Sequence, residues 1–319
     1  MPETRIGVVG ATGAVGAVTM RLLRERGYEH VRAFASGRSA GRELDGGIAV
    51  EEATPESLAA GGLDVALFSV GTSASRELVP YAVEGGALVV DKSSAYRLEA
   101  GYPLVVPEVN GRRAVEAIET TRVVANPNCC TIPLTCVLKP LHDAVGLRRV
   151  RVSTYQSASG AGAQRMEQLR RERPDEHDLG MDWSWEGDET DEESKLRAET
   201  RKILELPELP LSATTVRVPV LVGHAEAVWL ETEEPLTPAQ AESLLAAAPS
   251  LRLVDVPTPG AAAQSDQVLV GRIRPDRAAE RNGLALFLAC DNLNKGAALN
   301  AIQIAELLLG ARSFASRPA

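Results

Sequence analysis

Aromatic residues, cysteine and histidine are all scarce in this sequence. Phe, Tyr and Trp make up 4% of 319 residues, so a core must rest on Val, Leu, Ile and Ala. Only four cysteines occur, Cys129, Cys130, Cys136 and Cys290. They form no CxxC pair and have no histidine at ligand spacing, which speaks against a structural zinc site and for no metal at all. Thiols of this kind fit a reducing compartment, so a cytoplasmic setting is expected. Basic charge is also lacking: the formal net charge is −9, which argues against a nucleic-acid partner. Small anions are not excluded, because a few local Arg and Lys side chains suffice to hold them. No apolar run approaches the ~18 residues of a membrane helix, and a strand starting near Arg5 leaves no room for a signal peptide. Internal repeats and low-complexity tracts are absent.

What is present suits a globular protein of two domains, with 45% hydrophobic and 24% charged residues. The first third alternates strand patterns (5–9, 31–35, 64–69, 87–91 and 122–125) with helical spacing such as Val15, Val18 and Leu22. That alternation predicts a parallel, Rossmann-type sheet with crossover helices. Further on, longer strands are expected at 148–156, 214–220, 226–231, 267–273 and 284–290, with few helices between them. The fold class is therefore α/β with a second α+β domain. A terminal helix from Gly296 carries Leu299, Ile302, Ile304 and Leu308 on one apolar face, which should pack against the first domain. The acidic stretch from Ala163 to Glu193 reads as a solvated loop, with Trp183 and Trp185 as possible anchors for a subunit contact.

Gly10-Ala11-Thr12-Gly13-Ala14-Val15-Gly16 follows the first strand and opens a helix. Glycines there allow a tight turn and let backbone amides approach a pyrophosphate at the helix N-terminus. Roughly 20 residues on, an NAD site usually presents Asp or Glu to the ribose. Here Ser36-Gly37-Arg38-Ser39 offers a guanidinium and hydroxyls instead, which suits the 2′-phosphate of NADP.

The most unusual segment is Asn126-Pro127-Asn128-Cys129-Cys130-Thr131-Ile132-Pro133. Proline is tolerated in a helix's first turn, so a helix should begin near Thr131 with Cys129 just upstream. Free amides and the helix dipole favour a thiolate there. Cys136 and Cys290 sit in apolar runs and read as structural. Of four histidines, His30 and His142 fall at loop or helix-end positions and His177 in the acidic stretch. His224 lies at a strand end with Arg217 nearby, so it suits an acid/base partner for the thiol. Arg217 suits a carboxylate clamp.

At these residues the chain resembles the aspartate-semialdehyde dehydrogenases. The motifs run nearly end to end: GATGAVG, SGRSAG, DKSSAYR, NPNC, TYQSASGAG, EESKLRAETRKIL, VRVPVLVGH and DNLNKGAALN. The resemblance implies an NADP-binding domain over 1–127, completed by a helix over 296–319, and a catalytic and dimerisation domain over 128–295. It implies Cys129 as nucleophile, His224 as acid/base and Gln156 as an orienting group. Arg217 would hold the substrate carboxylate and Glu192 its ammonium, with Arg97, Asn128 and Lys195 as a phosphate pocket. Cofactor contacts would come from Gly10, Thr12, Gly13, Ala14, Val15, Ser36, Arg38, Ser39, Thr72, Ser159, Gly160 and Asn292. The implied reaction is NADPH-dependent reduction of L-aspartyl 4-phosphate to the semialdehyde through a cysteine thioester, with phosphate released. Backbone amides beside Cys129 are the natural oxyanion donors. A homodimer or homotetramer is implied as well. An N-acetylglutamyl-phosphate or glyceraldehyde-phosphate type reductase is the rival within this chemistry, and a silent nucleotide-binding paralogue the rival outside it. Glu192 and Lys195 alternatively fit a surface ion pair at i, i+3. Cys130 and Ala225 stand where the family would carry Ser.

Overall fold

The structure is a computed structural model that describes residues 3–315. The chain forms two compact units, one up to Pro127 joined by the segment from Ala297, the other Asn128–Gly296.

In the first unit the order is β1 (Arg5–Val9), α1 (Ala14–Glu25), β2 (His30–Ala35), β3 (Glu43–Leu44), β4 (Ile48–Glu52) and α2 (Pro55–Ala59). Then follow β5 (Val65–Phe68), α3 (Thr72–Glu84), β6 (Leu88–Asp91), α4 (Pro107–Asn110), α5 (Arg112–Glu116) and β7 (Val123–Ala125). The sheet order is β3-β4-β2-β1-β5-β6-β7. All its pairings are parallel except β3 with β4. Strands β5 and β6 are buried throughout and apolar except for Asp91 at the end of β6, as a sheet covered on both faces requires. The C-terminal helix Leu299–Ala315 belongs to this unit, where Leu299, Ile302, Ile304 and Leu308 join the core with Ile6, Val8, Leu67 and Val90. The hairpin β3–β4 was not legible in sequence. Its strands are short, and its turn is built on Gly46 and Gly47, both at positive φ (90° and 76°).

The second unit runs α6 (Thr131–Val145), β8 (Leu147–Gln156), α7 (Ala163–Arg171), β9 (Trp185–Glu186), β10 (Glu189–Thr190) and α8 (Asp191–Leu204). It continues with β11 (Leu211–Arg217), β12 (His224–Thr232), α9 (Pro238–Ala247), β13 (Leu251–Leu253), α10 (Pro259–Ala262), β14 (Val268–Pro275) and β15 (Gly283–Cys290). Its main sheet has the order β11-β8-β12-β15-β14-β13. The pairings β8–β12, β12–β15 and β14–β15 are antiparallel, while β8–β11 and β13–β14 are parallel. This mixed sheet is the expected second, α+β layer.

Several local expectations are corrected. The strand expected over 214–220 runs Leu211–Arg217, because Pro219 has no N–H to donate to a ladder. His30 opens β2 rather than lying in a loop. The stretch from Ala163 to Glu193 is not a bare loop. It holds α7, the hairpin β9–β10 turning at Gly187 (φ 73°), and the first turn of α8. Its polar composition reflects exposure, not lack of structure, with Leu169 the buried anchor of α7. Helices are also more frequent between the later strands than expected.

Candidate active site

The β1–α1 turn is built for close backbone approach. Gly10 takes φ 87°, and a Cβ there would lie 2.4 Å from the Ser69 carbonyl oxygen. A Cβ on Gly16 would meet the Gly10 carbonyl oxygen at 2.1 Å, so α1 can start this near the loop only with glycine at that position. Thr12 and Gly13 are exposed, and Ala14 and Val15 form the first turn of α1. This cradle fits a dinucleotide pyrophosphate. Ser36, Arg38 and Ser39 form the turn after β2, with Ser36 and Arg38 exposed. Glu52, at the end of β4, lies beside that turn: a Cβ on Gly37 would meet its Oε1 at 2.6 Å. Sequence spacing suggested no carboxylate there, since it arrives from a neighbouring strand. Thr72 opens α3, and its hydroxyl lies 2.8 Å from that of Ser94. Arg97 is in this unit too and donates to the Lys92 carbonyl at 2.7 Å.

In the second unit, α6 begins at Thr131, with Pro133 in its first turn and Cys129 just before it. Asn128 organises this entry. Its Oδ1 accepts from the Cys130 amide at 2.8 Å, its Nδ2 donates to Glu192 Oε1 at 2.9 Å, and its own amide donates to Glu199 Oε2 at 2.7 Å. The Cys130 amide is thereby engaged by Asn128 Oδ1. The two adjacent thiols differ sharply. Cys130 is fully buried, and burial together with the neighbouring Cys129 pushes its thiol well above the ordinary range. Cys129 is half-exposed. Cys136 and Cys290 are buried, and all four cysteines are reduced.

Sheet topology then gathers the partners. Strands β11, β8 and β12 are neighbours, and the end of β11, the end of β8 and the start of β12 lie together. This places Arg217 opposite Gln156, and His224 opposite Cys290. The reactive atoms of Cys129, Cys130 and His224 all fall within 4.8 Å of one another. His224 is buried, and its Nδ1 accepts from the Ser157 amide at 3.0 Å. The ring proton therefore sits on Nε2 in this arrangement. A metal would need the Nε2 lone pair, and metal-bound histidines donate from the other nitrogen instead. The cluster suits thiol–imidazole chemistry better than a cation.

Gln156 Nε2 donates to Glu192 Oε1 at 2.9 Å. Glu192 thus receives both Gln156 and Asn128, rather than forming a surface ion pair with Lys195. Burial raises its carboxyl, the nearby Cys129 sulfur adds to this, and the bonds from Gln156 and Asn128 oppose it. Lys195 instead pairs with Asp191, one helical turn back. Arg217 is buried, donating from Nη1 to the Ser157 carbonyl at 3.0 Å and from Nη2 to Asp182 at 2.9 Å. Its guanidinium stacks 4.6 Å from the Trp183 ring centroid, a contact with its own subunit for a residue considered as an interface anchor. Ser159 and Asn292 are buried, and Asn292 Oδ1 accepts from Ser157 Oγ, Ser159 Oγ and the Gly223 amide. Gly160 is fixed by crowding, because a Cβ would lie 2.8 Å from Arg217 Nη1 and 3.1 Å from the His224 ring. Sequence reasoning passed over Ser157, Glu199, Asp182 and Glu226. Ser157 and Glu199 sit inside quoted motifs, so they had a signal; Asp182 and Glu226 did not.

Comparison with known proteins agrees with this architecture. Residues 5–118 match the semialdehyde dehydrogenase NAD binding domain, and residues 138–186 and 181–295 the semialdehyde dehydrogenase dimerisation domain. An aspartate-semialdehyde dehydrogenase of Corynebacterium melassecola is 44% identical, covering 96% of this chain and 99% of its own. One from Aquifex aeolicus is 40% identical, covering 96% and 98%. Aspartate semialdehyde dehydrogenase II from Vibrio cholerae, solved in complex with ASA, superposes with a TM-score of 0.90 at 36% identity, over 97% of this chain and 99% of that one. The enzyme from Candida albicans, solved with NADP, gives 0.79 at 27% identity, over 97% and 99%. Fold and site together define an oxidoreductase with a dinucleotide-binding unit and a dimerisation domain of the semialdehyde dehydrogenase type. The chain belongs to the aspartate-semialdehyde dehydrogenase family. Among the described residues no helix is long and apolar enough to cross a membrane.

Proposed function

We propose that the chain reduces L-aspartyl 4-phosphate to L-aspartate 4-semialdehyde, a step of aspartate-family amino-acid biosynthesis, with Cys129 as nucleophile. The observation that carries this reading is the grouping of Cys129 with His224 at the mouth of α6, beside Arg217 and Glu192. Cys129 Sγ attacks the acyl carbon, the C–O bond to phosphate breaks, and a thioester forms. NADPH, when bound, supplies the hydride. His224, carrying its proton on Nε2, donates to the oxygen that becomes negative at the reduced carbon. Collapse of the hemithioacetal passes its hydroxyl proton back to His224, releases the aldehyde and leaves Cys129 as the thiolate that began the cycle. Burial of the neighbouring thiol favours Cys129 over Cys130.

Arg217 would take the substrate carboxylate, its Nε having no bond among the described residues. Glu192 would take the ammonium, with Gln156 orienting it, and Arg97, Asn128 and Lys195 would serve the phosphate. The glycine loop supports cofactor assignments to Gly10, Thr12, Gly13, Ala14 and Val15. Ser36, Arg38 and Ser39 support NADP over NAD, and Thr72, Ser159, Gly160 and Asn292 complete the cofactor set. The dimerisation domain supports a homodimer or homotetramer, working in the cytoplasm.

The test is NADPH formation from aspartate semialdehyde with and without inorganic phosphate. Turnover should require phosphate, disappear in Cys129→Ala and survive in Cys130→Ala. Phosphate-independent turnover, or loss confined to Cys130→Ala, would overturn the mechanism.

A further inference from the structure

Two opposite charges meet at the turn after β2, and neither is paired. Gly37 lies between Ser36 and Arg38, and a Cβ there would lie 2.6 Å from Glu52 Oε1 and 3.2 Å from its carboxyl carbon. The Glu52 carboxylate therefore rests against the turn itself. Gly37 does not take a positive φ, so the backbone does not require glycine there; the missing side chain makes room for the carboxylate. Glu52 closes β4 opposite Ala35, and the Ala53 amide donates to the Ala35 carbonyl at 2.8 Å. Ser57 Oγ donates to the Glu52 carbonyl at 2.9 Å, which fixes the backbone from the other side. Glu51, on the opposite face of β4, is held by Arg32 through hydrogen bonds of 2.8 and 2.6 Å. Glu52 has no such partner. Among the described residues neither its carboxylate nor the Arg38 guanidinium has a hydrogen bond or an ion pair, and both residues are exposed.

An uncommitted guanidinium and an uncommitted carboxylate at one turn suit the two forms of a ribose 2′ position. A 2′-phosphate is drawn by Arg38 and repelled by Glu52. A 2′-hydroxyl offers a hydrogen that a carboxylate accepts and a guanidinium cannot. We propose that Glu52 is a specificity-determining residue that offsets Arg38, so that the chain binds NAD as well as NADP. The proposal rests on the reading of Ser36, Arg38 and Ser39 as the 2′-phosphate site, and it deepens that reading. Glu52 supplies from β4 the carboxylate that an NAD site ordinarily carries about 20 residues past the glycine loop. Water and salt weaken repulsion between exposed charges, which holds the effect of Glu52 on NADP to about 10-fold.

Binding to the cofactor-free protein tests this without turnover, by titration calorimetry with NADP, NAD, adenosine 2′,5′-bisphosphate and AMP. The last two carry the 2′ position without the nicotinamide. Wild type should bind NAD no more than about 30-fold more weakly than NADP. Glu52→Gln keeps the shape of an exposed side chain and removes its charge. It should tighten NADP and the bisphosphate about 10-fold and weaken NAD and AMP about three-fold. The gain for NADP should fade as ionic strength rises from about 0.05 to about 0.5 M, because it is electrostatic. Arg38→Ala should loosen NADP and leave NAD nearly unchanged. A Glu52→Gln protein in which both dinucleotides move by the same factor, or neither moves, overturns the proposal, as does a wild type that binds no NAD. If Arg38→Ala leaves NADP binding intact, the 2′-phosphate reading of the turn is what fails. If Arg38→Ala weakens NADP while Glu52→Gln changes nothing, only the role of Glu52 falls.

Discussion

At Arg217 a carboxylate is already in place. Asp182 holds Nη2 at 2.9 Å, and its side chain is 42% exposed. A substrate carboxylate entering the proposed clamp must compete with it. Such partly exposed pairs are worth about 1 kcal/mol or less, so the contest shifts affinity by no more than roughly five-fold. Asp182→Asn is expected to lower KM for the semialdehyde by two- to five-fold with kcat unchanged, as steady-state kinetics would read. An unchanged or higher KM would mean that Arg217 does not meet the substrate carboxylate. The same scale separates the two thiols. Adjacent in sequence and alike in chemistry, Cys129 and Cys130 differ because one side chain turns into the core and the other does not.

Helix α8 carries much of the site's precision. It opens with a capping box, in which the Thr190 hydroxyl accepts from the Glu193 amide and Glu193 accepts from the Thr190 amide. Glu193 also accepts from the Thr215 amide at 2.9 Å, which ties the helix start to β11. Two residues past the Thr190 cap, Glu192 receives Gln156 and Asn128; two turns on, Glu199 receives the Asn128 amide. Thr190→Ala should cost about 1 kcal/mol of stability and raise KM through a displaced Glu192, measured by urea unfolding and kinetics together. Stability lost with unaltered KM would make the cap structural only. The EESK segment could be recognised as helical from its residues. Its burial could not, since a row of Glu and Lys reads as a solvated face until packing decides otherwise.

Across the molecule, buried acid is a liability that depends on pH. Glu226 is fully buried in the middle of the second sheet, and neither carboxylate oxygen has a bond among the described residues. Burial, reinforced by Cys129, raises its carboxyl well above the usual 4.5. The folded state therefore keeps a proton that the unfolded chain has lost, so this group's contribution to stability falls as pH climbs from about 4.5 towards the raised value. Glu226→Gln removes that dependence at similar volume. Its urea midpoint should gain on wild type as pH goes from 5 to about 8. Parallel curves over that range would show that Glu226 does not carry the effect.

The sequence by itself determined the alternating first sheet, the glycine turn with Gly10 and Gly16, the helix start at Thr131, and Cys129 at its threshold. Those features depend on local backbone rules: φ tolerance, the place of proline, and residue periodicity. Tertiary structure alone decided the rest. Strand order brought Arg217, Gln156 and His224 to one sheet end, and burial separated Cys130 from Cys129. Ser157 met His224 across 67 residues, and Glu52 reached the turn after β2 from a neighbouring strand. Hydrogen bonds and desolvation act between groups close in space, and spacing along the chain carries no record of them.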